Sequence, residues 1–253
     1  MSDFRPRSSS EILDAAFEIY RRHFAVFVAI NIFAAIPVAI SSYIGQTAAL
    51  LQQPDGLVTS SLVRLAGAFI TPFTEGAMTC AASAAYLGMP VDFEKSVRTA
   101  FSRPGRLFVA MFTKWILLVF GLILFIVPGL FVFKRYFALP MTVLFEDNKV
   151  GDAISRSREL SSDNGARIFG LVGGVFVFTL LVTVVLTQTI ASLSHAVAVT
   201  AVITLLVAAA ISPFSTIVVT LLYYDIRIRK EGYDIELMTQ ALNANSPLQN
   251  TVS

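Results

Sequence analysis

Apolar residues fall into about six long runs separated by short polar stretches. The runs cover residues 24–45, 61–88, 106–127, 130–145, 168–193 and 196–224. A helix crosses ~30 Å of hydrocarbon with roughly 20 apolar residues, so the pattern predicts an all-α, polytopic membrane protein with about six transmembrane helices. The second, fifth and sixth runs are long enough to tilt or to project from the bilayer, and the fourth is short. Pro128-Gly129 divides what would otherwise be one overlong run. Proline there is expected to start a new helix and glycine to free the turn, which makes spans three and four a tight hairpin.

The polar stretches before the first, third and fifth runs carry helical periodicity of their own. In residues 10–23, Leu13, Phe17, Tyr20 and then Phe24 form an apolar stripe, while Glu11, Asp14, Glu18 and Arg22 face away. Ser8 with Glu11 fits a capping box. In residues 91–102, Phe93, Val97 and Phe101 share a face, and in 150–161 Val150, Ile154 and Leu160 do so less cleanly. Each segment places an acid four residues before an arginine, as Glu18–Arg22, Glu94–Arg98 and Asp152–Arg156, an order that supports a helix. The even-numbered runs each contain a proline, in Ile70-Thr-Pro-Phe, Phe137-Ala-Leu-Pro and Ile211-Ser-Pro-Phe. Together these features fit three repeated units of amphipathic helix plus hairpin. Pro37 in an odd-numbered run counts against the repeat, and polar linkers of membrane proteins are often amphipathic without one.

Composition agrees with a bilayer as the sink for apolar surface. Of 253 residues, 55% are hydrophobic and 14% charged, and the mean hydropathy is +0.72. Net charge is +2, too small to suggest nucleic-acid binding, and its placement says more. Arg5, Arg7, Arg21 and Arg22 precede the first run, Lys95, Arg98, Arg103 and Arg106 lie around the second connection to the third, Lys149, Arg156, Arg158 and Arg167 between the fourth and fifth, and Arg227, Arg229 and Lys230 after the sixth. The alternate connections carry no lysine or arginine; residues 46–60 hold only Asp55 and the last turn only His195. Basic residues accumulate on the cytoplasmic side, so both termini are expected there, with residues 1–23 as a cytoplasmic segment, 24–225 as the membrane domain and 226–253 as a cytoplasmic tail. The charged N-terminus lacks the short apolar core of a cleavable signal, and the end of the tail is expected to lack order.

Candidate chemistry is sparse. Cys80 stands alone, so neither a disulfide framework nor a cysteine-rich metal site is expected. His23 and His195 fall on opposite sides of the predicted bundle. No metalloprotease, Walker or nucleophile-elbow motif is present. Gly170, Gly173 and Gly174, and the ridge Gly76, Cys80 and Ala84, read as places of close helix approach. The remaining candidates are the charges inside the runs: Arg64, Glu75, Lys114, Lys134 and Arg135. Charge at the centre of a bilayer costs at least ~2.5–3.5 kcal/mol and tends to face protein or water. Arg64 and Glu75 are separated by three helical turns and would share a face. Two arrangements fit. In the favoured one, Glu75 pairs with Lys134 or Arg135 while Arg64 and Lys114 snorkel to the interfaces. In the other, the bases line a cavity for an anionic group such as a phospholipid headgroup.

The segments FIVPGLFVFKRYFALPMTVLFEDNKVGDAISRSREL and LLYYDIRIRKEGYDIELM, with the opening ILDAAFEIYRRHF and the run PFTEGAMTCAASAAYLG, give the chain a pattern that resembles the membrane domain associated with glycerophosphoryl diester phosphodiesterases. The likeness extends from Ile12 to about Met238. It implies a stand-alone bacterial inner-membrane domain, because a soluble diesterase barrel would need a long polar segment that this sequence does not contain. The expected function is non-enzymatic, without cofactor: a scaffold or partner-binding module whose inner helices and charged 225–236 segment form the docking surface. The alternative is a small transporter or a lipid- or anion-binding protein using the intramembrane bases, to which proline-broken spans in paired positions point. Expected partners are the lipid bilayer itself and a phospholipid or another membrane protein, with no nucleic acid.

Overall fold

The computed structural model describes residues 5–124, 126–146, 149–193 and 196–233; the side chains at 118 and 120–130 lie outside that description. Every described element is a helix, and there is no strand among the described residues. In chain order these are α1 Ser9–Arg22, α2 Phe24–Leu50, α3 Pro54–Ala68, α4 Thr71–Tyr86, α5 Phe93–Ala100, α6 Pro104–Leu124, α7 Ile126–Arg135, α8 Leu139–Phe145, α9 Val150–Ser161, α10 Gly165–Ile168, α11 Gly174–Leu193 and α12 Val197–Glu231. A π-helical turn, Phe169–Gly173, joins α10 to α11.

Among the described residues, four helical stretches are long and apolar enough to cross a membrane: Phe24–Leu50, Pro54–Tyr86, Gly165–Leu193 and Val197–Glu231. They correspond to the first, second, fifth and sixth predicted runs. The third and fourth map onto α6 and onto α7 with α8, a region that includes the undescribed side chains. Large apolar side chains stand exposed on the four stretches, among them Leu57, Leu62 and Leu65 on α3, Phe176 and Leu181 on α11, and Val202 and Leu206 on α12. Water would not tolerate so continuous an apolar surface, whereas lipid does. The protein is an all-helical membrane-embedded protein.

The three short amphipathic helices form where periodicity predicts them. At α1, Ser8 and Glu11 close the capping box in both directions. The Ser8 backbone N–H donates to Glu11, and with Arg5 it holds the Glu11 carboxyl down to about 2, so the box persists wherever ordinary carboxylates ionise. The expected acid–arginine pairs do not close. Arg156 turns to other acids, and neither Glu18–Arg22 nor Glu94–Arg98 forms an ion pair among the described residues. Exposed pairs of this kind offset little of the entropy of two long side chains.

The prolines behave in two ways. Phe69 and Ile70 interrupt the second run, and α4 restarts with Pro72 in its first turn; Tyr136 to Ala138 interrupt the next, and α8 restarts with Pro140 in its first turn. Proline is harmless there because its missing N–H has no intrahelical partner to lose. Pro213, by contrast, lies inside α12, which continues unbroken for 35 residues. An interior proline leaves the carbonyl four residues back without its N–H. That carbonyl belongs to Ala209, and the buried Asn31 amide on α2 donates to it at 3.3 Å and to Ala208 at 3.0 Å. The Tyr20 hydroxyl on α1 donates to the next carbonyl, Ala210. Pro128-Gly129 departs from expectation in another way: both residues are helical within α7. The helix begins two residues before its proline because the first turn of a helix tolerates proline at several positions.

Packing is densest at the end of the bundle that carries the basic residues. Ile12 and Ala16 of α1, Phe27 and Ile30 of α2, Ala77, Met78 and Ala81 of α4, Leu107 and Met111 of α6, and Ile217 and Leu221 of α12 form one buried cluster. Gly76 lets α4 close on α6, since a Cβ there would come within 2.6 Å of Leu107 Cδ2. The glycines at 170 and 174 do not serve that purpose: a Cβ at either would meet nothing within 4 Å. Gly170 lies within the π-helical turn and Gly174 directly follows it, where an extra residue per turn loosens local geometry.

Replacing Asn31 with leucine is expected to lower stability by about 1–3 kcal/mol, the cost of leaving a buried carbonyl unmet. Thermal loss of helix in detergent, followed by circular dichroism, measures this. Adding Pro213→Ala is expected to return part of the loss, because alanine at 213 restores an N–H facing Ala209. Equal stability of wild type and Asn31→Leu would show that the carbonyls have other donors.

Candidate functional site

The last two turns of α12 bring together most of the fixed charge. Asp225, 2% exposed, accepts a hydrogen bond from the Arg7 backbone N–H at 2.6 Å and ion pairs from Arg167 at 2.8 Å and Arg229 at 2.9 Å. Arg167 and Arg229 also both donate to the Arg7 carbonyl. One carboxylate thereby ties the segment before α1 to α10 and α12. A buried carboxylate is stable only with such an arrangement of opposite charge and N–H donors.

A second knot lies beside it. Glu146, just past α8, accepts from Tyr223 at 2.7 Å and pairs with Arg156 of α9 at 2.7 Å. Arg156 also pairs with Glu159 and Glu231, and Arg227 with Glu231 at 3.0 Å. Burial works against the Arg156 charge, but hydrogen bonds to Glu146 and Glu159 outweigh it and raise its pKa above the ordinary value. Between the knots runs an aromatic stack: Tyr86 on Tyr224 at 4.8 Å and Tyr224 on Tyr233 at 6.0 Å, with Arg227 3.7 Å over the Tyr233 ring. The Tyr224 hydroxyl is 2.6 Å from Ser83 Oγ. Lys230 reaches back to the Glu159 carbonyl and Ser162 at the end of α9.

The expectation that the charged segment after span six offers itself for docking therefore changes. Through Tyr233, Asp225, Arg227 and Glu231 are engaged within the protein, and 234–236 lie outside the described residues. The charges left facing outward are Asp14, Glu18, Arg21 and Arg22 on α1, Glu94, Lys95 and Arg98 on α5, and Asp152 and Arg158 on α9. Helical spacing signals two of the pairs, Asp225–Arg229 and Arg227–Glu231, but the contacts of Asp225 with Arg7 and Arg167 and of Glu231 with Arg156 join residues about 60 to 220 apart, and no local pattern names them.

The five intramembrane candidates do not converge. Arg64 and Glu75 lie on different helices, α3 and α4, because the break before Pro72 ends the periodicity that would have placed them on one face. Glu75 is partly buried, and the charge acting on it is Lys114 of α6, rather than Lys134 or Arg135. Lys134 lies across Gly165 at the start of α10, where a Cβ would come within 2.6 Å of its Cε. Arg135 is exposed, and its carbonyl accepts from Ser157 of α9. Arg64 is exposed and lines a shallow polar groove between α2 and α3 with Ser41, Ser42, Gln46, Ser60 and Ser61. No group of three or more metal-ligating side chains occurs among the described residues.

No protein-family model, no characterised protein and no solved structure matches the chain significantly. What fold and site define is a class: an all-helical membrane-embedded protein whose basic end is locked by buried ion pairs.

Asp225→Ala is expected to destabilise the protein by about 3–5 kcal/mol, since it strands the guanidinium of Arg167. Arg5→Ala, at an exposed pair, is expected to change little. Unfolding midpoints of the two variants in detergent provide the comparison, and similar midpoints would remove Asp225 from its central position.

Proposed function

We propose that the protein is a non-enzymatic scaffold of the bacterial inner membrane, with six spans, both termini in the cytoplasm, and a basic face that docks a protein partner. The observation that carries this reading is the ion-paired network at the basic end: Asp225 and Glu146 tie the segment before α1, α9, α10 and α12 to one another, which presents the outward charges on a fixed surface. Those outward charges are of both signs on α1, α5 and α9. A mixed surface suits a protein partner and offers little to a polyanion such as nucleic acid.

The element order supports three units. Each of α1, α5 and α9 is short and amphipathic, and each precedes a long apolar helix and its returning partner. The spans of the middle unit would be α6 and the α7–α8 pair, which completes six. The ordered motifs that resemble the glycerophosphoryl diester phosphodiesterase membrane domain fit the same plan, with the phosphodiesterase chemistry itself residing outside this kind of domain. A second reading, binding of a lipid or another anion by intramembrane bases, is favoured by one observation: Arg64 has no ion-pair partner among the described residues and sits in a groove of hydroxyls.

Reporter fusions after Gln52 and after Ser253 are expected to report opposite compartments, with the C-terminus inside. A photo-crosslinker at Arg21, Arg98 or Arg158 is expected to capture a protein partner in cells, and one at Leu62 to capture none. Both fusions in one compartment would remove the six-span arrangement, and no capture from any of the three arginines would remove the docking reading.

A further inference from the structure

We infer that the groove between α2 and α3 holds one phosphate ester, that of an anionic lipid headgroup in the leaflet opposite the basic face, with Arg64 as its charge partner. The inference rests on the second reading above and narrows it to one residue and one ligand class.

Charge comes first. Across α2 and α3 there is one acid, Asp55, and one base, Arg64. The two are nine residues apart, about 13 Å along a helix, and Arg64 makes no ion pair or hydrogen bond among the described residues. The local charge of +1 is therefore uncompensated by protein, and it matches a phosphodiester anion.

Hydrogen-bond accounting points the same way. Ser41 Oγ donates to the Ser60 carbonyl, Ser60 and Ser61 both donate to the Leu57 carbonyl, and the Gln46 amide donates to Ser42 Oγ. The donors left unspent are the five N–H groups of Arg64, the hydroxyl proton of Ser42 and the second N–H of the Gln46 amide. Guanidinium donors in a fixed fork fit two oxygens of one phosphate.

Depth supplies the source. α2 has 27 residues, about 40 Å at 1.5 Å per residue, against ~30 Å of hydrocarbon. With its His23 end at the basic surface, Ser41 and Gln46 lie about 26–33 Å further on, level with the opposite headgroups. Arg64, one to three turns below, extends upward to that level as long cationic side chains do.

The test is native mass spectrometry of the full chain, delipidated in detergent and offered phosphatidylglycerol, diacylglycerol or inorganic phosphate separately. Wild type is expected to retain one phosphatidylglycerol, and to hold diacylglycerol and inorganic phosphate much more weakly. Arg64→Gln is expected to lower phosphatidylglycerol retention about ten-fold, the loss of a charge-assisted bond, and Arg64→Lys to fall between, with circular dichroism confirming that both fold. If wild type retains no anionic lipid, the inference fails together with the reading beneath it. If Arg64→Gln retains as much as wild type, the inference fails and the reading survives at another base. Inorganic phosphate bound as tightly as lipid would overturn the assignment to a headgroup.

Discussion

Inside a bilayer, every backbone carbonyl must find a donor within the protein, because no water is there to supply one. That constraint shapes α12, the longest helix. Pro213 takes an N–H out of its middle, and the cost would fall in the least forgiving solvent. The chain meets it from two other elements, with the Asn31 amide of α2 and the Tyr20 hydroxyl of α1 donating to the carbonyls just before the proline. These bonds do more than repair a helix. They fix the rotation of α2 about its axis relative to α12, and they tie the amphipathic α1 to the bundle at a defined height. Apolar surfaces alone would let helices slide in lipid, since hydrocarbon outside is as welcoming as hydrocarbon inside.

The same logic operates at the basic end with charge in place of amide. Asp225 is buried where a lone carboxylate would be intolerable, and three donors from two arginines and the backbone of Arg7 make it a junction. Because Arg7 contributes main chain rather than side chain, its position is held whatever its guanidinium does; that group lies 5.4 Å over the Tyr86 ring. Neighbouring Glu146 repeats the pattern with Tyr223, Arg156 and Arg227. Hydrophobic burial and these knots coincide in space, so the basic half is the rigid half. The opposite half consists of α2 against α3 and α11 against α12, with apolar side chains facing outward.

The sequence revealed what depends on near neighbours. Periodicity located α1, α5 and α9 to within two residues, and hydropathy found the long apolar stretches. Proline meaning was only half legible: the motifs at Pro72, Pro140 and Pro213 look alike, yet the third does not break its helix. At Pro213 the carbonyl left over is met by Asn31, which lies 182 residues away in sequence and is invisible to any local reading. The surroundings of Glu75 were illegible for a related reason. Spacing along a helix places side chains on a face only while the helix lasts, and between Arg64 and Glu75 it does not. Across helices, spacing says nothing about whether Lys114 or Lys134 arrives beside Glu75.

A division of labour follows from where polar groups are spent. At the basic end, acids meet arginines in pairs and triples. Such a surface has little drive to bind an anion, and its use lies in holding a fixed pattern of outward charge. In the α2–α3 hairpin Arg64 meets no acid among the described residues, and Ser41, Ser60 and Ser61 beside it have turned their protons to backbone carbonyls. For stability alone leucine would serve at 64; a guanidinium that extends to the headgroup level adds something where an anion meets it. Its presence is accounted for if something outside the chain brings the missing negative charge, and the molecules guaranteed to surround that hairpin are lipids.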